Sequence, residues 1–338
     1  MLLGIAVILG ITLLLSKNRR RINWRIIGAG LLLQLTLAIL ILKGDELGNF
    51  FAPLGWPKAF FSWISSFFVL VLNFTAQGAA FVFGPLGTPD SLGVIFATQI
   101  LPTIIFFSSL MSILYYLGVM QKVVRGMAYI VRRLLGTSGP ETLSVSANIF
   151  VGQTEAPLVI RPYLQHMTHS ELMAVMTGGM ATIAGGVMAA YIGMLGGAFA
   201  RAQGLTIGAA ELIFAEQLLG ASVMAAPAAL LLAKIMVPET AVPATRGRVE
   251  VQIESEARNA IDAAAAGAAD GLKLALNVAA MLIAFIALIA MFNYFIGWAA
   301  GLFGYELTLQ QILGWTLAPV AWLIGVPWAD AVNFGSLL

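Results

Sequence analysis

The chain alternates between long apolar runs and short polar breaks. Ser91–Gln121, Leu172–Ala200, Leu274–Tyr305 and Leu307–Ala329 contain no Asp, Glu, Lys or Arg. Each exceeds the roughly 20 residues that an α-helix needs to cross a bilayer. Ile26–Leu42 and Gln217–Ala233 are shorter but adequate. A transmembrane β-barrel would need short segments of alternating polarity, and these runs are continuous. The pattern predicts an all-α, polytopic membrane protein. Its helices fall over 2–16, 26–42, 91–118 (with a kink at Pro102), 171–197, 212–236 and 272–298, and a last apolar run covers 308–338. Residues 120–135 are amphipathic and read as an interfacial helix.

Composition removes the soluble alternative. Of 338 residues, 60% are hydrophobic and 10% charged. A chain of this size has too little interior to bury that much apolar surface. The absence of cysteine excludes structural disulfides and thiolate metal sites. The net charge of +2 matters less than where the cations lie. Lys17, Arg19, Arg20, Arg21 and Arg25 form one cluster, and Lys122, Arg125, Arg132 and Arg133 another. A third stretch, from Lys234 to Lys273, adds Arg246, Arg248 and Arg258. Cytoplasmic loops keep their Lys and Arg, which places all three inside and the N-terminus outside. Leu2–Leu15 has its charges after it rather than before it, so it reads as a retained helix and not a signal peptide.

That orientation tests residues 56–84. If they crossed, 91–121 would run outward and the basic block at 122–133 would face the wrong side. With Trp56, Phe60, Phe61, Trp63, Phe67 and Phe68, the segment is predicted to be an exterior or interfacial helix.

Residues 148–164, NIFVGQTEAPLVIRPYL, place a glycine, a proline and an acid in an otherwise membrane-like run. Arg132 and Arg133 precede it, and His166 and His169 follow, so 141–164 is predicted to enter the membrane and return. The first arm covers about 141–151 and the turn is Val151–Gly152–Gln153. The second arm starts at Thr154–Glu155–Ala156–Pro157, with Thr154 as N-cap and Pro157 tolerated in the first turn. Irregular backbone at membrane depth persists only where protein buries it or where it lines a wet cavity. Carbonyls at the end of one arm suit a small cation. N–H groups and amides at the start of the other suit a polar ligand, the discontinuous-helix device of secondary transporters.

Each candidate has a plainer reading. Glu155 alone is a solvated interfacial carboxylate, and Asn148 alone a helix–helix hydrogen bond. Their clustering with Gln153 and Thr154 at one break favours a binding site, because ionisable groups inside a membrane are costly. Thr182 either back-bonds to its own helix or marks local unwinding at Thr182–Ile183, before Gly185–Gly186. No H-E-x-x-H and no nucleophile–base pair occurs, and His166 and His169 lack a third ligand, so an enzyme is not predicted. Residues 238–271, with Pro238 and Pro243, read as a solvated linker ending in an alanine-rich helix.

Several blocks resemble the concentrative nucleoside transporters: FVFG at 81–84, FFSSLMSILYYLGVMQ at 106–121 and GTSGPETLSVSANIFVGQTEAPLVIRPYL at 136–164. Further matches are SELMAVMTGGMATIAGGVMAAYI at 170–192, DAAAAGAADGLKLALNVAAMLIAFIALIAMFN at 262–293 and ILGWTLAPVAWLIGVPW at 312–328. The resemblance implies a homotrimer in the inner (plasma) membrane lipid bilayer that imports nucleosides by an elevator movement driven by a cation gradient. No covalent cofactor and no nucleic acid polymer is implied. Residues 1–118 and 272–298 would be scaffold, 119–237 transport-domain elements, 238–271 the cytoplasmic linker and 299–338 the start of a second hairpin. Gln153 and Thr154 would bond the nucleobase, with Glu155 assisting partly through water, Gly152 in the turn beside it and Val187 packing on the base. Sodium would sit at Asn148, the Val151 carbonyl, Thr182 and the Ile183 carbonyl. Asn148 and Thr182 do not titrate, which favours sodium, while Glu155 keeps a proton as the alternative coupling ion. The family pattern continues with an NEFVAY-like block that contacts ribose. Here the chain stops at DAVNFGSLL, so a chain cut inside its second hairpin is expected, the last run lacking a partner arm.

Overall fold

The structure is a computed structural model that describes residues 2–88, 95–153, 156–241, 243, 257–302 and 304–337. Its regular elements are helical. In chain order they are α1 (Leu2–Leu14), α2 (Trp24–Leu42), α3 (Gly44–Phe50), α4 (Ala52–Phe83), α5 (Leu101–Tyr116), α6 (Val119–Leu135) and α7 (Gly139–Ala147). Then follow α8 (His169–Ala181), α9 (Gly185–Gln203), α10 (Ile207–Met236), α11 (Ala260–Gly301), α12 (Leu309–Ile324) and α13 (Trp328–Leu337). Among the described residues, six stretches are long and apolar enough to cross a membrane, 24–42, 52–87, 96–116, 169–203, 207–236 and 260–301, and the bent pair 309–324 with 328–337 makes a seventh if it is one span. The chain divides into two compact units, residues 16–276 and residues 1–15 with 277–338.

The larger unit is organised around α10, which packs on α2, α4, α8 and α9. Its buried positions are mostly small: Ala210, Ala215, Gly220, Ser222, Ala226, Ala229 and Ala233. Lipid tails are as apolar as leucine, so membrane helices associate through close packing at small residues. Gly30 of α2 shows this, since a Cβ there would stand 3.1 Å from the Leu231 Cβ.

α6 is amphipathic, as expected for 120–135, and presents three faces. Met120, Val124, Ala128 and Leu135 are buried. Val119, Val123, Ile130 and Leu134 form an exposed apolar stripe. Lys122, Arg125, Arg132 and Arg133 lie on the remaining side. One face for the protein, one for acyl chains and one for headgroups is the pattern of a helix lying in the interface. Gly118 (φ 74°) and Gly136 (φ 73°) bracket it in the left-handed region, which glycine adopts without a Cβ clash.

Several boundaries differ from the sequence reading. α1 has 13 residues and spans only about 20 Å. α4 has 32 residues, about 48 Å, and packs on α2, α5 and α10. The expected helix over 91–118 begins, among the described residues, with a wide π turn at Phe96–Ile100 before α5. Pro102 explains it: proline has no N–H to offer and its ring clashes with the carbonyl four residues back, and the wider turn relieves both. The helix expected over 171–197 is two helices, α8 and α9, broken at residues 182–184. The expected boundary at 271/272 is absent, because α11 runs unbroken through it for 42 residues. Alanine and leucine continue without a helix breaker, and Gly267 and Gly271 pack closely on Ser112 and Ile105 of α5 instead of facing solvent.

In the smaller unit, the last run is not a single arm without a partner. α12 and α13 meet at 117° across Gly325–Pro327 and pack on each other. A Cβ on Gly335 would stand 2.8 Å from the Gly314 carbonyl oxygen, so glycine permits the approach.

Candidate ligand and cation site

α7 begins in a wholly buried position and ends at Asn148. The chain then turns tightly: the Phe150 and Val151 N–H groups both donate to the Ala147 carbonyl at 3.0 Å. Residues 148–153 form the turn, and a 3-10 segment, Ala156–His166, makes the second arm. Pro157 and Pro162 remove donors there and disfavour α geometry at Ala156 and Arg161. Thr154 and Glu155 lie outside the described residues, so their expected roles are untouched by this geometry.

The tip meets the α8–α9 break. The Gly185 N–H donates to the Phe150 carbonyl at 3.0 Å. A Cβ on Gly185 would stand 2.6 Å from that oxygen and collide with the Phe107 ring. Gly179 gives similar clearance about a turn before the break: a Cβ there would lie 3.1 Å from the Gln153 Cβ and 3.8 Å from the Asn148 amide nitrogen. Both glycines make room for the hairpin tip, contacts that pattern reading put down to helix packing; the pairs Gly178–Gly179 and Gly185–Gly186 flanking Thr182 were the available signal.

Thr182 satisfies both of its sequence readings. Its hydroxyl donates to the Gly178 carbonyl at 3.0 Å, and its backbone is extended at φ −121°, ψ 157°. The oxygen keeps lone pairs and the following backbone has left the helix. Asn148 is 1% exposed, and among the described residues neither its amide oxygen nor its amide nitrogen has a hydrogen-bond partner. Buried amides are nearly always satisfied, and a wholly orphaned one calls for an explanation such as an ion or a water. Its oxygen together with the Thr182 hydroxyl is the kind of hard-oxygen donor set that suits a small cation.

Beside the tip is a cavity of about 360 Å³. Phe150, Val151 and Gly152 line it from the hairpin, Ala184–Val187 from the break, and Phe107 and Ser108 from α5. Its size fits a small organic ligand. Val151, Gly152 and Val187 therefore share one cavity. Asn148, Gln153 and Thr182 are not among its lining residues.

Residues 3–86 match the family model described as "Na+ dependent nucleoside transporter N-terminus", 97–198 match "Nucleoside recognition", and 217–338 match "Na+ dependent nucleoside transporter C-terminus". A Haemophilus influenzae protein described as an uncharacterized transporter is 44% identical over 96% of this chain and 72% of its own length. The mouse sodium/nucleoside cotransporter 1 is 41% identical over 99% of this chain, which spans 47% of that protein. The chain belongs to the sodium-dependent nucleoside transporter family. CNTnw in an inward-facing substrate-bound state matches with a TM-score of 0.83 at 43% identity, covering 99% of this chain and 74% of that one. A variant of CNTnw in an outward-facing state gives 0.85 at 44% identity, covering 99% and 75%. This member of the family is accordingly an all-α transporter and not an enzyme.

The sequence reading also missed a buried ionic cluster at the root of the transporter's hairpin. Lys234 of α10 pairs with Glu141 of α7 at 2.6 Å, the two side chains being 6% and 1% exposed. Its signals were two S/T-x-x-E patterns, Ser138–Glu141 and Thr168–Glu171, each opening a helix, and a lone lysine closing an apolar run.

Proposed function

We propose that the chain forms the nucleoside- and sodium-binding region of a secondary active importer in the cell inner membrane. Gln153, Thr154 and Glu155 hold the nucleobase, with Gly152 allowing close approach and Val187 packing against the base. Sodium is held by Asn148, Thr182 and the carbonyls of Val151 and Ile183. The observation that carries this reading is the buried amide of Asn148, which has no hydrogen-bond partner among the described residues and lies where the hairpin tip meets the α8–α9 break. Asn148 and Thr182 do not titrate, which supports sodium over a proton as the coupling ion.

Alternating access by an elevator movement, a homotrimer and an N-terminus on the outer side belong to the same proposal. So does an exterior or interfacial position for 56–84, supported by the three basic clusters that must stay inside. The partners are nucleoside, sodium and the bilayer, with no nucleic acid polymer.

The deciding experiment is uptake of labelled uridine by the full transporter in proteoliposomes, with sodium, proton or no gradient imposed. Uptake driven by sodium is expected. Uptake driven only by protons would replace sodium with the alternative ion, and none under either gradient would overturn the carrier reading.

A further inference from the structure

The cluster around Lys234 joins the starting points of the two helices that converge on the proposed cation site. The Lys234 ammonium pairs with Glu141 at 2.6 Å and lies 3.6 Å from Glu239. It also donates to the Ser170 hydroxyl at 3.0 Å, which in turn donates to the Val237 carbonyl at 2.7 Å. Glu141 uses its other oxygen to accept the Ser138 N–H at 2.7 Å, across the first turn of α7. At the first turn of α8, Glu171 accepts the Thr168 N–H at 2.8 Å while the Thr168 hydroxyl donates to Glu239 at 2.8 Å. The first turns of α7 and α8 and the end of α10 are thus held by one buried ammonium.

From that shared root the two helices run to the same place. α7 covers about 14 Å before Asn148, and α8 about 20 Å before Thr182. They pack on each other along the way. A Cβ on Gly178 would stand 2.6 Å from Val145, so the interface has no slack for sliding. A helix is stiff along its axis, and a displacement at the root arrives at the tip nearly undiminished. Slippage of either helix would change the spacing between the Asn148 amide and the Thr182 hydroxyl.

We propose that Lys234 is a positioning residue: by pinning the roots of α7 and α8 it sets their register, and so the geometry of the cation site at their far ends. It touches neither ion nor nucleoside. The proposal rests on the reading of Asn148 and Thr182 as sodium ligands. A purely structural lysine would lower stability when replaced and leave the sodium affinity of the folded protein unchanged.

The test uses the full transporter. Lys234→Met alone leaves Glu141 buried without its partner, which breaks folds, so three milder forms carry the experiment. These are Lys234→Arg, the double variant Lys234→Met with Glu141→Gln, and Glu239→Gln, which keeps the central pair. Each is read by melting temperature, by sodium titration of uridine binding, and by the rise in melting temperature on adding sodium without nucleoside. The sodium concentration for half-maximal binding is expected to rise about 10-fold in the double variant, about 3-fold in Lys234→Arg and about 2-fold in Glu239→Gln. Lys273→Gln, at an exposed pair with Asp270, is expected to leave it unchanged. Sodium curves that superimpose on the unsubstituted protein in the folded variants would overturn the proposal. Failure of the carrier reading shows separately, as absence of sodium-dependent uridine binding in the unsubstituted protein. The nucleoside-free thermal readout still tests Lys234 in that case.

Discussion

In the hairpin of residues 139–166, every residue of the first arm, Gly139–Ala147, is buried. In the hairpin of residues 309–337, only Gly314, Ala318, Ala321, Ala331 and Gly335 are. At the second tip three backbone groups are met within the turn: Gly325 donates to Trp322 at 3.0 Å, Val326 to Ala321 at 3.1 Å and Asp330 to Pro327 at 2.9 Å. The first tip leaves the Asn148 amide without a partner among the described residues and draws in a second broken element, the Thr182–Ala184 stretch. Their roots differ too. The first is held by buried charges around Lys234, the second by Asn293, whose side chain accepts the Leu309 N–H at 2.7 Å and donates to Gln310 at 3.0 Å. A turn at membrane depth is tolerated when its polar groups are met. The second hairpin meets several of them within its own turn. Among the described residues the first leaves the Asn148 amide over, which supports the proposal that a ligand is held there.

Filling the contact between tip and break should erase this difference most completely. Gly185→Leu pushes a side chain into the Phe107 ring and the Phe150 carbonyl. Nucleoside binding is expected to fall more than about 100-fold, since a displacement of about 1 Å costs that much in a positioned site; equilibrium binding of uridine measures it. Removing polar groups from the first tip comes next. Gln153→Ala and Glu155→Ala should each weaken uridine affinity about 10- to 100-fold, the loss of one or two hydrogen bonds, one of them charged. Their melting temperatures should stay near that of the unsubstituted protein; unchanged affinity in both would refute the site. Asn148→Ala should raise the sodium concentration for half-maximal uptake about 10-fold, and an unshifted curve would argue for protons. The smallest effect belongs to the second hairpin. Asn293→Ala should cost about 1 kcal/mol in thermal or denaturant unfolding and leave the sodium curve in place.

Much of this architecture is legible along the chain. Charge-free runs mark the spans, because an apolar helix has few other homes. The Gly–Gln–Thr–Glu–Ala–Pro sequence marks the first hairpin, because a glycine, a proline and three polar side chains fall together in a run otherwise apolar enough for a membrane helix. Thr182 announced a break through the glycines after it. Other features were hidden. Gly179 looks like any packing glycine until Gln153 and Asn148 are seen against it. Lys234 looks like the inner boundary of a span, and only the fold carries Glu141, Ser170 and Glu239 to it. The α11 boundary was misplaced because polarity changes near residue 271 whereas helicity does not.

Sequence alone determined what is local: which runs suit a bilayer, where the cations cluster along the chain, and where polar groups interrupt an apolar run. Those follow from transfer free energy and backbone chemistry, properties that each segment carries with it. Tertiary structure decided which breaks meet and which polar groups are left over when they do. Asn148, Thr182 and Lys234 are far apart in the chain. Whether an amide is satisfied, or a buried ammonium paired, depends on neighbours that only packing supplies.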